Sequence, residues 1–327
     1  MPKATAAGTT AKITMPTEIV GEIQRKMQER SVIASLVPSR AEAFVNDEHM
    51  IFTVEPEAEY VGEGAAKNSA DFKFEPIEGK RHKVQTTVRM TDEVTWADED
   101  NQLAILDNVF DSMAGAFSRA LDYGMIHAIN PLTREVLVSL KGEALSYTAN
   151  QVAATTNLQS DMDSIADLIL PNYDVTAIAL DRMYANQLRK LRNSSNAKLY
   201  PEIGLTLDPG QIEGLPCVTS GAVSGTRLAA LGSDGKTPVA SGIKAIAGNW
   251  DLIRYGIVRD FALTEIRFGD PDGLGDLQRY NQVAFRVETV FSWVNFDPKG
   301  FSVLRDQSTI PVASNDPSTA ETQKASK

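Results

Sequence analysis

The sequence contains almost none of the residues that carry covalent or metal chemistry. It has 327 residues but one cysteine, Cys217, so no disulfide can form within the chain and a reducing compartment is expected. The three histidines, His49, His82 and His127, are far apart and lack metal-ligand spacing. His127, near the end of a predicted helix, is expected to be a core or capping histidine, and Cys217, within a strand pattern, is expected to be a buried structural thiol. No Gly-x-Ser-x-Gly nucleophile elbow is present. These absences argue against a conventional enzyme, and we predict no catalytic residue, no metal site and no cofactor.

Basic residues and long apolar runs are also scarce. The chain has 32 basic and 43 acidic residues, a net charge of −11, which argues against tight nonspecific binding of nucleic acid. It does not exclude a surface that faces nucleic acid. No apolar run approaches the roughly 18 residues of a membrane span, and the first sixteen residues lack the apolar core of a signal peptide. We therefore expect a protein made in the cytosol that has no membrane segment.

Two stretches imitate ligand-binding motifs without completing them. Lys236 follows Gly235 as in a phosphate-binding loop, but Ala230 stands where an earlier glycine is required. We interpret this stretch as a hairpin turn. The acidic loop Gly269–Asp276 resembles a calcium-binding loop, yet Asn281 stands where the twelfth position needs a glutamate. A solvated surface loop is favoured there, and a weak cation site assembled at an interface is left open.

The stretch from Ile51 to Val94 has the composition of an arm. Its ends, Ile51–Val54 and Val84–Met90, have strand patterns, and about thirty mostly polar residues lie between them, longer than most ordered loops. Alternation returns at Phe72 and Phe74, which predicts a long two-stranded arm. Because an isolated hairpin is marginally stable in water, the arm needs a surface to lie on. A neighbouring subunit is the expected support.

Charge is separated along this arm. A basic cluster at residues 80–83 is predicted to face an acidic group on the other limb. The pairs would contribute well under about 1 kcal/mol each within one solvated hairpin, or would set the register between neighbouring subunits. A nucleic-acid patch is the least favoured interpretation, because interleaved aromatic residues are missing. The acidic residues are Glu55, Glu57, Glu59 and Glu63.

The remaining pattern predicts an α+β protein built on one long helix. Apolar residues recur at steps of three and four from Asp98 to Ile129, and Asn130-Pro131 ends the pattern. An amphipathic helix at residues 17–30 and an apolar connector at residues 31–38 are predicted before it. Strand and helix patterns alternate through residues 130–255. The other predicted elements are helices Leu158–Leu170 and Asp181–Leu191 and strands Val175–Leu180, Leu215–Val218, Leu252–Val258 and Val283–Phe296.

Several stretches occur in an order and spacing typical of one protein family. They are Ala58–Gly64, Phe72–Pro76, Leu180–Met183, Lys198–Pro201, Gly214–Ser220, Ala247–Asp251, Arg254–Gly256 and Asp297–Phe301. Together they resemble the major capsid proteins of tailed bacteriophages, which have the Hong Kong-type capsid fold. The resemblance extends over roughly residues 16–304.

The resemblance implies an α+β fold with an N-terminal arm, an extended β-hairpin loop, a peripheral domain with a long spine helix, and an axial domain. The expected segments are the N-terminal arm at 1–48, the extended loop at 49–94, the spine helix at 95–130, the axial domain at 131–255, the C-terminal peripheral strands at 256–304 and a flexible tail at 305–327.

The resemblance also implies partners and a location. Copies of the chain would form the pentamers and hexamers of an icosahedral shell that encloses double-stranded DNA without reading its sequence. A portal protein, and a separate scaffolding or decoration protein, would be further partners. The shell would be assembled in the host cytoplasm and become the virion capsid. A compartment of the encapsulin type, holding a protein cargo, is the alternative with the same fold.

Contacts between subunits are expected in the extended loop. Some members of the family also join a loop lysine to an asparagine of a neighbour, and Lys67 or Lys73 with Asn281 or Asn295 are the candidates here. This autocatalytic crosslinking is a second alternative. The residues expected to contact a neighbouring subunit are Tyr60, Glu63, Lys67, Phe72, Lys73, Phe74, Lys80 and Arg81.

Overall fold

A computed structural model describes most of the chain as two sheets, a long helix and a hairpin. The described residues are 25–27, 30–41, 48–54, 58–61, 73–94, 96, 105–232 and 234–309. The strands are β1 (Arg40–Ala41), β2 (Glu48–Val54), β3 (Lys73–Glu78), β4 (Lys80–Thr91), β5 (Gln151–Ala153), β6 (Ala177–Leu180), β7 (Gly210–Ile212), β8 (Leu215–Thr219), β9 (Ala230–Leu231), β10 (Pro238–Val239), β11 (Ile243–Gly248), β12 (Ile253–Ile266), β13 (Gln282–Asn295) and β14 (Phe301–Arg305). The α-helices are α1 (Val32–Leu36), α2 (Ile105–Asp122), α3 (Leu158–Asp167), α4 (Arg182–Lys190) and α5 (Gly221–Ser224).

The first sheet has four strands in the order β1-β12-β13-β4. Strands β12, β13 and β4 are antiparallel, and the short β1 joins β12 in parallel. Alternate side chains of β13 are buried, because successive residues of a strand point to opposite faces. This confirms the strand predicted at Val283–Phe296. The buried apolar residues of the predicted face are Val283, Phe285, Val287, Phe291 and Trp293; Thr289 of the same face and Ala284, Ser292 and Val294 of the opposite face are buried as well.

The second sheet has six strands in the order β5-β14-β11-β6-β8-β7. Helices α3 and α4 supply apolar residues to its core, among them Ile165 and Leu188. Helix α4 begins where predicted, because the Asp181 carboxylate accepts the Met183 N–H at 2.9 Å and caps the first turn. The alternating strand and helix pattern is therefore confirmed. Strand β12 is longer than the predicted strand Leu252–Val258 and belongs to the other sheet.

Two expected boundaries differ from the observed pairing. Strand β14 was expected among the peripheral strands, but it hydrogen-bonds to β11 and β5 in the six-stranded sheet. The expected tail begins at residue 305, yet Arg305 is the buried last residue of β14 and donates to the Ser146 carbonyl at 2.6 Å. Residues 310–327 of that tail lie outside the described residues.

Helix α2, here called the spine helix, packs its apolar stripe against the four-stranded sheet. Phe110 meets Phe285 edge-on at 5.9 Å between ring centroids, and Phe117 meets Phe261 in the same way at 5.0 Å. Both contacts have the geometry that aromatic pairs prefer. The predicted stripe is confirmed over the residues that the structure describes, and the predicted helix start at Asp98 lies outside them.

The end of the spine helix was missed by the sequence pattern. After Asp122 the chain continues as a π-helical turn, Tyr123–His127, and Ala128 then takes a left-handed conformation with φ of 54°. The helix therefore ends before the predicted stop at Asn130-Pro131. His127 is buried, and its Nε2 lies 2.8 Å from the Ala222 carbonyl, an acceptor that requires Nε2 to carry the proton. The expected structural histidine is confirmed.

The predicted apolar connector at residues 31–38 is a short helix, α1. Its first turn lies against the spine helix, where the buried Asp122 carboxylate accepts three hydrogen bonds. The donors are the Ser31 hydroxyl at 2.6 Å, the Val32 N–H at 3.1 Å and the Ile33 N–H at 3.2 Å. These bonds satisfy N–H groups that a helix start leaves without partners. Of the amphipathic helix predicted before α1, the described residues 25–27 and 30 are helical.

Candidate functional site

The predicted arm is a hairpin in which β2 pairs antiparallel with β3. Glu48 stands opposite Glu78 and Phe52 opposite Phe74, and the register shifts between Phe52 and Val54. The predicted two-stranded arm is confirmed over β2 and β3, and Lys73 and Phe74 lie on β3. The other predicted end of the arm, Val84–Met90, belongs to β4 and pairs with β13 instead. Three of the expected contact residues, Glu63, Lys67 and Phe72, lie outside the described residues.

Tyr60 is fully exposed on the chain between the two hairpin strands. Its neighbours Ala58, Glu59 and Val61 are exposed as well. An aromatic side chain carries a large apolar area, so covering it with another protein surface removes much apolar area from water. Of the exposed residues 58–61 between the two hairpin strands, Tyr60 thus gains most from being covered.

The hairpin continues directly into an edge strand of the four-stranded sheet. One residue, Gly79, separates β3 from β4, and β4 then pairs with β13 along its whole length, from Lys80 opposite Trp293 to Thr91 opposite Gln282. A strand held by a full ladder of hydrogen bonds is rigid compared with a loop. The hairpin is therefore joined through the single residue Gly79 to a strand that is held in the sheet.

The basic cluster lies at this base. The Lys80 ammonium is 2.5 Å from a Glu143 carboxylate oxygen, and Lys83 is 3.1 Å from Glu288. His82 stacks on Trp293 with 4.1 Å between ring centroids. Burial, and then the charge of Lys80, lower the pKa of His82 to about 4, so its ring is neutral at neutral pH.

The charge pairing predicted across the hairpin is corrected for two of these residues. Lys80 and Lys83 pair with Glu143 and Glu288, because residues 80–83 belong to the ladder with β13 rather than to the limb opposite β2. Arg81 is exposed. Of the four acidic residues predicted to face this cluster, Glu59 is described and exposed, and the other three lie outside the described residues.

A second set of polar residues, missed by the sequence pattern, holds the loop between β12 and β13. The Arg89 guanidinium binds Asp272 through both carboxylate oxygens and donates to the Gly275 carbonyl at 3.0 Å. Arg286 donates to the Pro271 carbonyl at 2.7 Å and to the Thr87 hydroxyl at 3.1 Å. The loop is therefore fastened to the sheet by two arginines, and it presents Phe268, Leu274 and Tyr280 to solvent. The only sequence signal was that both arginines stand at polar positions of alternating strands.

The cation site left open in this loop is not supported. Asp270 and Asp272 bind Arg89, at 3.4 Å in the case of Asp270, so the loop carboxylates already have a counter-charge. No group of potential metal ligands occurs among the described residues. Asn281, the residue at the twelfth position, donates its side-chain amide to Glu93 at 2.9 Å.

The other chemically capable side chains of the described residues serve the structure. Burial raises the pKa of the Cys217 thiol to about 12, so the thiolate needed for nucleophilic attack is not formed at neutral pH. Lys236 follows a turn in which the Asp234 carboxylate accepts its N–H at 2.9 Å, between β9 and β10, which confirms the hairpin turn. Asn295, one of the crosslinking candidates, is the last residue of β13. Within the described residues, no helix is long and apolar enough to cross a membrane.

Comparison with known proteins gives one consistent picture. The model of the phage capsid family matches residues 11–306. A solved chain from Mycobacterium phage Ogopogo is 35% identical with a TM-score of 0.74, and the match covers 85% of this chain and 92% of that one. A chain from Gordonia phage Cozz is 27% identical with a TM-score of 0.68, covering 84% of this chain and 86% of that one. A structure described as the capsid of an empty GTA particle shares the fold alone, at 11% identity and a TM-score of 0.54 over 82% of this chain and 87% of that one. No curated protein matches this chain.

Proposed function

This chain belongs to the phage capsid family and is a subunit of a capsid shell, and from that premise we propose that each copy lays its β2–β3 hairpin on a neighbouring copy to close an icosahedral shell around double-stranded DNA. The observation that carries the proposal is the hairpin itself. It extends from edge strand β4 across a single residue, Gly79, and leaves Tyr60 fully exposed. A two-stranded hairpin is marginally stable alone, and a neighbour supplies the missing surface.

The two sheets correspond to the two expected domains in this proposal. The four-stranded sheet with the spine helix is the peripheral domain, and the six-stranded sheet with α3 and α4 is the axial domain at the fivefold and sixfold centres. Copies related by closed symmetry use the same patches repeatedly. Pentamers and hexamers then form from one chain, and the hairpins link them.

The expected contact residues divide into two groups. Lys80 pairs with Glu143 at the base of the hairpin, so we assign it to supporting the hairpin's direction. The remaining residues lie on the hairpin or beside its base and are assigned to the contact with a neighbour. They are Tyr60, Glu63, Lys67, Phe72, Lys73, Phe74 and Arg81.

The partners follow from the role in the shell. A portal protein, and a separate scaffolding or decoration protein, complete the particle, which assembles in the host cytoplasm. The net charge of −11 suits a container whose wall does not hold its DNA tightly. The family's role is structural, and we propose no catalytic activity.

Deleting residues 63–75 tests the hairpin. The deletion should leave the thermal unfolding of the subunit nearly unchanged, because the buried cores lie in the two sheets. It should abolish closed shells when the expressed protein is imaged by electron microscopy. The substitution Tyr60→Ser changes one exposed side chain and should reduce shell yield in the same direction. Normal shells from the deletion variant would contradict the role of the hairpin.

The full-length chain tests the function itself. Expressed alone or with its scaffolding partner, it should form closed shells, and small oligomers under both conditions would reject the proposal. The content of purified particles separates the two kinds of container. Nucleic acid supports a viral capsid, and a co-purifying enzyme supports a cargo compartment.

A further inference from the structure

Strand β4 forms one edge of the four-stranded sheet. Its inner side pairs with β13 from Lys80 to Thr91 without a register shift. Alternate N–H and C=O groups of an edge strand point away from the sheet and are free to pair with another strand. Within the ranges that the structure describes, no strand pairs with the outer side of β4. This side is therefore an open row of backbone donors and acceptors.

The second half of this edge lacks the features that keep natural edge strands from pairing. Such strands are protected by exposed charges, prolines, bulges or short length. Residues 80–83, three of which are basic, protect the first half. From Val84 to Thr91 there is no proline and no bulge, and the one charged residue, Arg89, is bound to Asp272. Val84–Thr91, here called the open edge, is thus suited to accept a further strand.

The side chains of the open edge define the pattern that such a strand needs. Val84, Val88 and Met90 are packed against the core cluster that the sheet shares with the spine helix, whereas Gln85 is exposed. An added strand continues both faces of the sheet, because successive side chains of a strand point to opposite sides. It should therefore alternate apolar and polar residues over about the length of the open edge.

Residues 9–15, which precede the residues that the structure describes, have this pattern. Threonine and isoleucine favour strands, and Pro16 ends the segment because proline cannot donate a ladder hydrogen bond. Seven extended residues span about 23 Å, close to the length of the open edge. The apolar residues of the segment are Ala11, Ile13 and Met15, and the polar residues that alternate with them are Thr10, Lys12 and Thr14.

The described contacts bring the start of the chain close to the open edge. Lys26 lies 3.2 Å from Asp111 on the spine helix. The neighbouring Phe110 lies 5.9 Å from Phe285 between ring centroids, and Phe285 stands directly opposite Val88. With strands about 5 Å apart, these contacts put Lys26 within roughly 25 Å of Val88. With half of them extended, the ten residues 16–25 span about 24 Å, so the segment can reach the open edge of its own subunit.

We propose that residues 9–15 of each copy add a fifth strand to the four-stranded sheet, along the open edge of the same copy. The pairing gives partners to alternate N–H and C=O groups of the edge and places Ile13 and Met15 beside the apolar row of β4. A tethered segment has a high effective concentration, which favours it over the same segment of another copy. The fifth strand also covers an edge through which subunits would otherwise aggregate. This inference concerns the folded subunit and does not depend on the shell.

Hydrogen–deuterium exchange of unassembled full-length subunits, read by mass spectrometry, tests the fifth strand. The variant Lys12→Pro/Ile13→Pro removes two successive N–H groups, so the segment loses a bonded N–H whichever of its sides pairs. Nearly all amides of residues 84–91 should exchange slowly in the wild type. In the variant about half of them should exchange roughly tenfold faster, because alternate amides point away from β13.

Two internal comparisons show that the effect is local. Peptides of β13 should stay equally protected in the wild type and the variant, because both neighbours of β13 remain. The matched control, Ala6→Pro/Ala7→Pro, removes two N–H groups just before the segment. It should leave exchange at residues 84–91 as in the wild type.

Three results would overturn the proposal. Equal exchange in the wild type and in Lys12→Pro/Ile13→Pro would show that the segment does not cover the open edge. Equal loss of protection in the control variant would show that pairing of residues 9–15 is not the cause. Protection that rises with subunit concentration, or occurs only in assembled shells, would assign the open edge to a strand of another copy. A failure to form shells would reject the proposed function and leave this measurement unaffected.

Discussion

Asp122 is the residue that ties the spine helix to the segment leading into the hairpin. Its carboxylate accepts three hydrogen bonds from residues 31–33, yet burial is the stronger effect and raises its pKa to about 6. The charge of Asp122 also acts on two tyrosines, Tyr123 and Tyr255. Burial is the main cause that raises the pKa of each tyrosine, and the charge of Asp122 raises it further. A carboxyl whose pKa is raised by folding stabilises the folded state when it is protonated. Its contribution to the stability is therefore present below about pH 4 and is lost as the pH rises through about 6.

The first prediction concerns Asp122→Asn. Relative to this variant, the free energy of unfolding of the wild type should fall by about 2 to 3 kcal/mol between pH 4 and pH 7, since the charged carboxylate is the form disfavoured by burial. Urea unfolding of both proteins at a series of pH values between 4 and 7 measures this difference in the free energy of unfolding. Asp111→Asn is the control with the opposite sign, because hydrogen bonds from Arg30 and Lys26 lower the pKa of Asp111. If the free energy of unfolding changes with pH in the same way for the wild type and for Asp122→Asn, burial does not raise the pKa of Asp122 as described.

The second prediction compares two glycines with similar backbone angles. Gly225 and Gly210 have φ of 63° and 70°, but an added methyl group would lie 2.7 Å from Nε2 of His127 at the first and would meet nothing at the second. Gly210→Ala should cost about 1 kcal/mol through backbone strain alone. Gly225→Ala should cost about 2 to 4 kcal/mol, because it also displaces His127. Equal losses in urea unfolding would show that the close approach is unimportant.

At the scale of single residues, the sequence predicted what kind of role a residue has better than it predicted which residue it contacts. His127 and Cys217 were expected to be buried structural residues, and both are buried. Lys80 was expected to face acids on the hairpin, yet its partner is Glu143, sixty-three positions away in the chain. Partners of this kind depend on which elements pack together, and alternation within one strand carries no information about that.

The loop between β12 and β13 shows how one element depends on its neighbours. Its sequence predicts a solvated acidic loop, and Phe268 and Leu274 are indeed exposed. Arg89 from β4 nevertheless fastens it, with a side chain that is 11% exposed and bound to two carboxylates and a carbonyl. The loop therefore presents its apolar residues in a fixed arrangement.

The third prediction tests this fastening. Arg89→Ala should leave Asp270 and Asp272 without their shared counter-charge and make residues 267–281 far more susceptible to limited proteolysis. Strand β13 should stay protected from hydrogen exchange, since its ladder with β12 remains. The control Arg267→Ala removes an arginine that is half exposed and should change neither measurement by much. Unaltered cleavage of the Arg89 variant would show that the loop is held by its own turns.

Elements with strong periodicity were predicted well. The spine helix, α3, α4, β6, β8 and β13 all appear where apolar spacing placed them. Helix α1 was missed because a helix of five residues is too short to show a period, and its start depends on the distant Asp122. The π-helical turn was missed because Ala128 is an ordinary helix former, and its left-handed conformation is imposed by packing.

At the scale of the whole molecule, two described side chains, Cys217 and Asn281, favour a shell held by noncovalent contacts. Its single thiol is 3% exposed, and burial raises the pKa of that thiol. Its Asn281 amide is engaged with Glu93. These two described side chains are thus not ready to form bonds between copies, and in the proposed shell many modest interfaces would hold the copies together.

The fourth prediction follows from this. Assembled shells are denatured by heat with a thiol-blocking agent and run on a gel without reductant. The chains should run as monomers, and a parallel sample with reductant should give the same result. The variant Cys217→Ser should form shells of the same stability towards denaturant. A ladder that reductant removes would reveal disulfides, and a ladder that persists would reveal crosslinks of the lysine–asparagine type. Either ladder would contradict a noncovalent shell.

The sequence by itself determined the α+β class, the long helix, the position of the arm and the family, because these depend on local periodicity and on the order of short stretches along the chain. The tertiary structure alone decided that β14 joins the six-stranded sheet, that Glu143 and Glu288 pair with the basic cluster, and that Arg30 and Arg119 lie beside Gly115. Each of these joins residues far apart in the chain. Such pairings are set by which surfaces bury the most apolar area together, a property of the whole fold.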